Sequence, residues 1–134
     1  MTISEAAKKY ELTPDTLRYY ERIGLIPAVQ RTASGLRDYD EEACRWVEFI
    51  KCMRSAGLPI EVLIEYVQLF RQGDATIAAR LELLTEQRRL LQERIQAMQN
   101  TLARLDHKIR LYESGQMKQC EEQLNACGSR EQNF

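Results

Sequence analysis

Long apolar runs are what this sequence most plainly lacks. Nothing in its 134 residues approaches the roughly 18 unbroken apolar positions of a membrane-spanning helix. The opening MTISEAAKKY has no apolar stretch of the kind a signal peptide needs, so a cytoplasmic location is expected. Cysteine is sparse: Cys44, Cys52, Cys120 and Cys127 are too few and too scattered for a secreted disulfide framework, and reduced thiols are the expectation. Excess charge is missing as well. A formal net charge of −1 marks no strongly basic domain, so any nucleic-acid surface must come from local arrangement. There is no phosphate-binding glycine loop, and the one histidine, His107, has no nucleophile or metal-ligand spacing around it. His107 reads as solvated, the chain as no enzyme, and no resident cofactor is expected.

What is present is about one domain of ordinary composition, 44% hydrophobic and 29% charged, plus an extension. Its first seventy or so residues read as short, well-punctuated helices. Thr2 and Glu5 have capping-box spacing, predicting a helix from about Ile3 to Tyr10 with Ile3, Ala6, Ala7 and Tyr10 on its apolar side. Thr13 before Pro14 reads as an N-cap with proline at the first helical position, and Gly24 as the residue that ends that second helix. Two short helices so closely joined predict a helix-turn-helix. The segment RTASGLRDYD, with Gly35 at its turn, reads as a small hairpin or wing. Asp40 is expected to cap a third helix whose core stripe is Trp46, Phe49, Ile50 and Met53, ending before Gly57. A fourth helix starts at Pro59, buries Ile60, Leu63, Ile64, Val67 and Phe70 on one side, and closes at Gly73.

Within the second helix, TLRYYERIGLI (Thr16–Ile26) sets Arg18, Tyr19 and Tyr20 side by side. Successive helical positions diverge by roughly 100°, so if Leu17 and Tyr20 face a core, Arg18 and Tyr19 look outward. From Arg22 through Arg37 the chain carries Arg22, Arg31 and Arg37 and no Asp or Glu, while Asp40, Glu41 and Glu42 follow. Positive charge is thus gathered locally on this segment, as an ordinary solvated loop or as a phosphate-facing one.

From Asp74 to about Glu113 the pattern becomes one long helix. Ile77, Leu81, Leu84, Arg88, Leu91, Ile95, Met98, Leu102, Leu105, Ile109 and Tyr112 are spaced by alternating steps of four and three. Such a seam, on a helix spanning roughly 55 Å, needs a partner of comparable length, and the sequence contains no second one. A homodimer is expected, with Arg88 costing stability while fixing register or orientation. The expected divisions are residues 1–73, 74–113 and 114–134, in a mainly α fold.

TISEAAKKYELTPDTLRYYERIGLI, the segment GLRDY, the run to AGLPI and the following coil together resemble the MerR family of bacterial transcription regulators. The resemblance covers residue 1 to about 113. It implies a winged helix-turn-helix on each subunit, an antiparallel coiled coil between subunits, promoter DNA and RNA polymerase as partners, and activation by bending and untwisting DNA. Under it, Thr16, Arg18, Tyr19 and Arg22 are expected at the DNA, Arg18 on base edges or phosphate and Tyr19 on phosphate. Tyr20 is expected to be shared between core and contact. Arg37 and Tyr39 match family positions that touch the backbone, and Arg54 is a further candidate.

For sensing, the run EFIKCMRSAGLPI resembles the branch of the family that answers aldehydes and other thiol-reactive electrophiles through one cysteine, here Cys52. A thiolate adds to a carbonyl or activated alkene. Against it stand the helix C-terminus and Glu48, which call for a compensating cation such as Arg54 or a residue of the partner subunit; a cysteine beside a core stripe also serves simply as filler. Cys44 reads as pointing away from the stripe and incidental. A second reading places a soft metal ion on Cys120 and Cys127. If MKQCEEQLNAC is helical, their Cα atoms are roughly 10 Å apart, which favours two small hydrophobes packing a tail over shared ligation. A coiled-coil adaptor without DNA binding accounts for the long helix and leaves the winged module idle.

Overall fold

The computed structural model describes residues 1–116. Within them the chain forms five α-helices: α1 (Ile3–Lys9), α2 (Pro14–Ile23), α3 (Glu41–Ser55), α4 (Ile60–Arg71) and α5 (Ile77–Glu113), with a 3-10 turn at Asp74–Thr76. It divides into two compact units, one from Met1 to Arg88 and one from Arg89 onward.

The local signals act as their chemistry dictates. Thr2 and Glu5 close a reciprocal capping box on α1. Thr13 Oγ1 accepts from Thr16 N–H at 3.1 Å, Pro14 opens α2, and Gly24 ends it in the left-handed conformation at φ 84°. Asp40 accepts from Ala43 N–H at 2.8 Å at the start of α3. Pro59 stands just outside α4, as its N-cap without a side-chain hydrogen bond, rather than inside it. The wing is smaller than a hairpin of two strands: one antiparallel bridge joins Arg31 to Arg37, and Thr32 N–H donates to Leu36 O at 2.7 Å.

The core of the first unit is built from Ala6, Leu17, Leu25, Ile26, Tyr39, Val47, Ile50 and Leu63, with Cys44, Leu58 and Tyr20 around them. On α3 the buried residues are Cys44, Val47 and Ile50, so the core face lies on the neighbouring flank from the one the bulky residues suggest. Trp46, Phe49 and Met53 are only partly buried. Trp46 instead heads a ring cluster at the core's margin, with its centroid 6.2 Å from Phe49, 6.0 Å from Tyr66 and 5.0 Å from Phe70. Cys44 is accordingly a core residue, its thiol donating to Tyr39 O at 3.8 Å.

The turn from α4 to α5 is tied by polar groups. Thr76 Oγ1 donates to Leu69 O at 2.5 Å and lies 2.8 Å from Gly73 O. Arg80 donates to Thr76 Oγ1 at 3.1 Å and lays its guanidinium over the Phe70 ring at 5.6 Å. Along α5 the seam residues Ile77, Leu81, Ile95, Met98, Leu102, Leu105, Ile109 and Tyr112 are all exposed. No described helix is long and apolar enough to cross a membrane.

Candidate DNA-reading face and sensor cavity

The two faces of α2 part as helical geometry requires. Leu17 is fully buried and Tyr20 is 8% exposed, whereas Tyr19 is 39% exposed. Tyr20 therefore belongs to the core; burial pushes its phenol up. Arg18 lies on the outer side, where it meets Asp15 at 2.8 Å. Arg22 sits over the Tyr19 ring at 5.4 Å, so the two make one outward-facing unit. Thr16 is half-buried and spends its hydroxyl on Thr13 Oγ1, 2.8 Å away, which makes it part of the cap of α2.

A groove of about 300 Å³ lies between the wing, with Arg31, Leu36 and Arg37, and the start of the chain, with Met1, Thr2, Ile3 and Glu5, and Arg18 of α2 reaches it. Glu21 organises its wing side. One carboxylate oxygen accepts from Arg37 Nε at 2.6 Å and the other from Val29 N–H at 2.7 Å. Desolvation acts to raise the Glu21 carboxyl, but these two hydrogen bonds and the Arg37 charge outweigh it and hold the group below the ordinary glutamate range. Glu21 thereby fixes both the chain entering the wing and the guanidinium leaving it. Its role carries no signal in one-dimensional spacing, because Arg37 is 16 residues away.

Tyr39 is a correction. Expected at the DNA backbone, it is 1% exposed, and its hydroxyl is buried without a hydrogen-bond partner. The ring belongs to the buried core, and a side chain so enclosed has no surface to offer a phosphate. Burial, first, and the nearby Glu21 charge push its phenol up. Arg54 is exposed on α3 and donates to Leu58 O at 2.8 Å, closing the turn into α4.

Cys52 is exposed on α3. It lines a cavity of about 560 Å³ together with Lys9 and Tyr10 from the end of α1 and Glu48, Lys51 and Ser55 from α3. The cations beside it are thus lysines, and Arg54 is engaged elsewhere. Lys51 Nζ donates to the Tyr10 carbonyl, bracing α3 against α1. Lys9 Nζ lies 5.4 Å from the centre of the Tyr10 ring. Burial and a hydrogen bond with the Cys44 thiol push the Tyr10 phenol up to about 12, so it stays neutral. Cys120 and Cys127 lie outside the described residues. His107, on α5, is exposed.

These features have close counterparts. A model described as the MerR HTH family of regulatory proteins matches residues 1–69, and one described as MerR, DNA binding, matches residues 44–108. The HTH-type transcriptional regulator AdhR of Bacillus subtilis is 59% identical over 93 residues, which are 69% of this chain and 66% of that protein. The chain thus spans just under two thirds of that relative's length. A crystal structure of a protein from Listeria monocytogenes assigned to the MerR family of transcriptional regulators is 47% identical, with a TM-score of 0.85 over 97% of this chain and 98% of that one. HiNmlR, a MerR family regulator lacking the sensor domain and solved bound to promoter DNA, is 27% identical, with a TM-score of 0.77 over 87% of this chain and 92% of that one. MerR regulators bind promoter DNA as dimers. With its helix-turn-helix, its wing and its long helix all matched, this chain belongs to the MerR family of transcriptional regulators.

Proposed function

We propose that this chain acts as a dimeric, promoter-bound regulator that distorts its DNA when a thiol-reactive electrophile such as an aldehyde adds to Cys52. One observation carries the sensing half of that reading: the exposed Cys52 thiol lies in a cavity whose walls come from both α1 and α3, inside the same unit that bears the outward-facing arginines. Similarity to AdhR supports the electrophile-responsive branch.

Binding follows from the face described. α2 enters the major groove with Arg18 leading and Tyr19 and Arg22 beside it, and Arg31 and Arg37 follow the phosphates from the wing. The exposed seam of α5 pairs two subunits, in the antiparallel direction, and sets the distance between half-sites. In a parallel pair two Arg88 side chains would meet in one layer; antiparallel pairing separates them. An adduct at Cys52 adds bulk where α1 meets α3, and packed elements respond to such bulk by shifting rather than compressing.

In vitro transcription from the native promoter tests the reading. Cys52→Ser is expected to bind operator normally and to lose activation by aldehyde, because serine keeps the size but not the nucleophile. The double change Cys120→Ser, Cys127→Ser is expected to keep it. The opposite pattern, activation by a soft cation lost only in the double variant, would replace the electrophile reading with a metal one.

A further inference from the structure

The Cys52 cavity holds a second nucleophile. Lys9 comes to it from the last turn of α1 and Cys52 from the last turn of α3, so a thiol and a primary amine from different helices line the same space. The two lysines there differ in their engagements. Lys51 Nζ is bonded to the Tyr10 carbonyl, whereas Lys9 is exposed and its ammonium is held only against the face of the Tyr10 ring, an interaction it can exchange without unpairing a buried group. Lys51 is also the immediate neighbour of Cys52 on α3, so a link between them would join no two elements.

We propose that Cys52 and Lys9 capture a small aldehyde together, as a one-carbon bridge between sulfur and nitrogen that ties α1 to α3. The inference rests on Cys52 being the sensing thiol. The bridge forms in two balanced steps. The thiolate adds to the carbonyl carbon, and the resulting alkoxide takes a proton, giving S–CHR–OH. The Lys9 amine, having given up its ammonium proton to water or to the Glu48 carboxylate of the same cavity, then displaces that hydroxyl as water and leaves S–CHR–NH–. The sum is thiol plus amine plus aldehyde giving bridge plus water, with no oxidant or reductant. An electrophile that adds through an activated alkene, such as a maleimide, alkylates the thiol and has no hydroxyl to lose. The cavity therefore distinguishes carbonyl electrophiles from other thiol-reactive ones by what happens after the first bond: only the former join the helix-turn-helix to α3.

The experiment is intact-mass and peptide analysis of the full chain after stoichiometric formaldehyde. Wild type is expected to gain a single carbon atom, located in a joined pair of peptides that carry Lys9 and Cys52. Both Lys9→Gln and Cys52→Ser are expected to lose the joined pair, and Lys51→Arg to keep it. Lys9→Gln is expected to be alkylated at Cys52 by N-ethylmaleimide as wild type is. Modification that stops at the hydroxymethyl stage, or a bridge to a residue other than Lys9, overturns the proposal and leaves Cys52 as the sensor. A Cys52 inert to both formaldehyde and maleimide overturns the sensing reading and the bridge with it.

Discussion

Glu21 and Arg18 stand one turn apart on α2 and do opposite work. Glu21 holds the wing through Arg37 and Val29, at 2.6 and 2.7 Å, in a partly buried site, so an amide in its place keeps an acceptor for only one of the two donors and removes the charge that faces Arg37. Glu21→Gln is expected to cost on the order of 1–3 kcal/mol in chemical denaturation at neutral pH. The folded pKa is depressed below that of the unfolded chain, so this contribution is complete above the ordinary glutamate range. It is lost as pH falls through the folded value, and the gap between wild type and variant should close in acid. Arg18 meets only an exposed Asp15, a surface pair worth little. Arg18→Ala should leave stability within about 0.5 kcal/mol of wild type and weaken operator binding by roughly 1–3 kcal/mol, with specificity blurred. Denaturation and gel-shift titration of both variants check the pair; equal operator affinity for Arg18→Ala and wild type would remove Arg18 from the reading face.

Among the elements, α2 shows most directly how a boundary serves function. Its length sets which residues reach outward, and its end is set by Gly24, whose positive φ an L side chain adopts only with strain. A Cβ there would find open room, its nearest neighbour being Ile64 Cγ2 at 4.0 Å, so the penalty of Gly24→Ala is conformational rather than steric. We expect a loss of about 1–2 kcal/mol in thermal or chemical unfolding. Thr13→Ala at the other end should cost about 0.5–2 kcal/mol by the same measurement, through the lost bond to Thr16 N–H. Neither residue faces the groove, so operator affinity extrapolated to the fully folded protein should hold in both.

At the scale of the whole molecule the proposed dimer contact is the exposed seam on α5. Ile95 is 46% and Leu102 57% exposed within one chain, so neither supports the fold of its own subunit. Replacing both by glutamate should dissociate the dimer in sedimentation while leaving the helical spectrum of the first unit intact. Operator affinity should then fall steeply, because two half-sites held at fixed spacing bind with an effective concentration that a lone head lacks. A monomeric variant with undiminished affinity would refute the role of the coil. Arg88→Leu should act in the other direction and tighten the dimer, since a charge at a seam position costs stability.

Much of this protein is determined locally, and that part is legible in one dimension. Caps act through bonds between residues three to five apart, so Thr2, Thr13, Gly24 and Asp40 mark helix ends wherever they occur. Helical periodicity likewise assigns Leu17 inward and Arg18 and Tyr19 outward, and it spaces the seam of α5. What periodicity leaves open is which flank of an amphipathic helix faces the core when both carry apolar side chains. On α3 the core side is that of Cys44, Val47 and Ile50, while the rings of Trp46 and Phe49 gather with Tyr66 and Phe70 and stay partly exposed. The same three-dimensional packing drew Tyr39 inside, joined Arg37 to Glu21, and set Lys9 and Cys52 in the walls of one cavity. Each of these depends on distances between residues far apart in the chain, which no local pattern encodes.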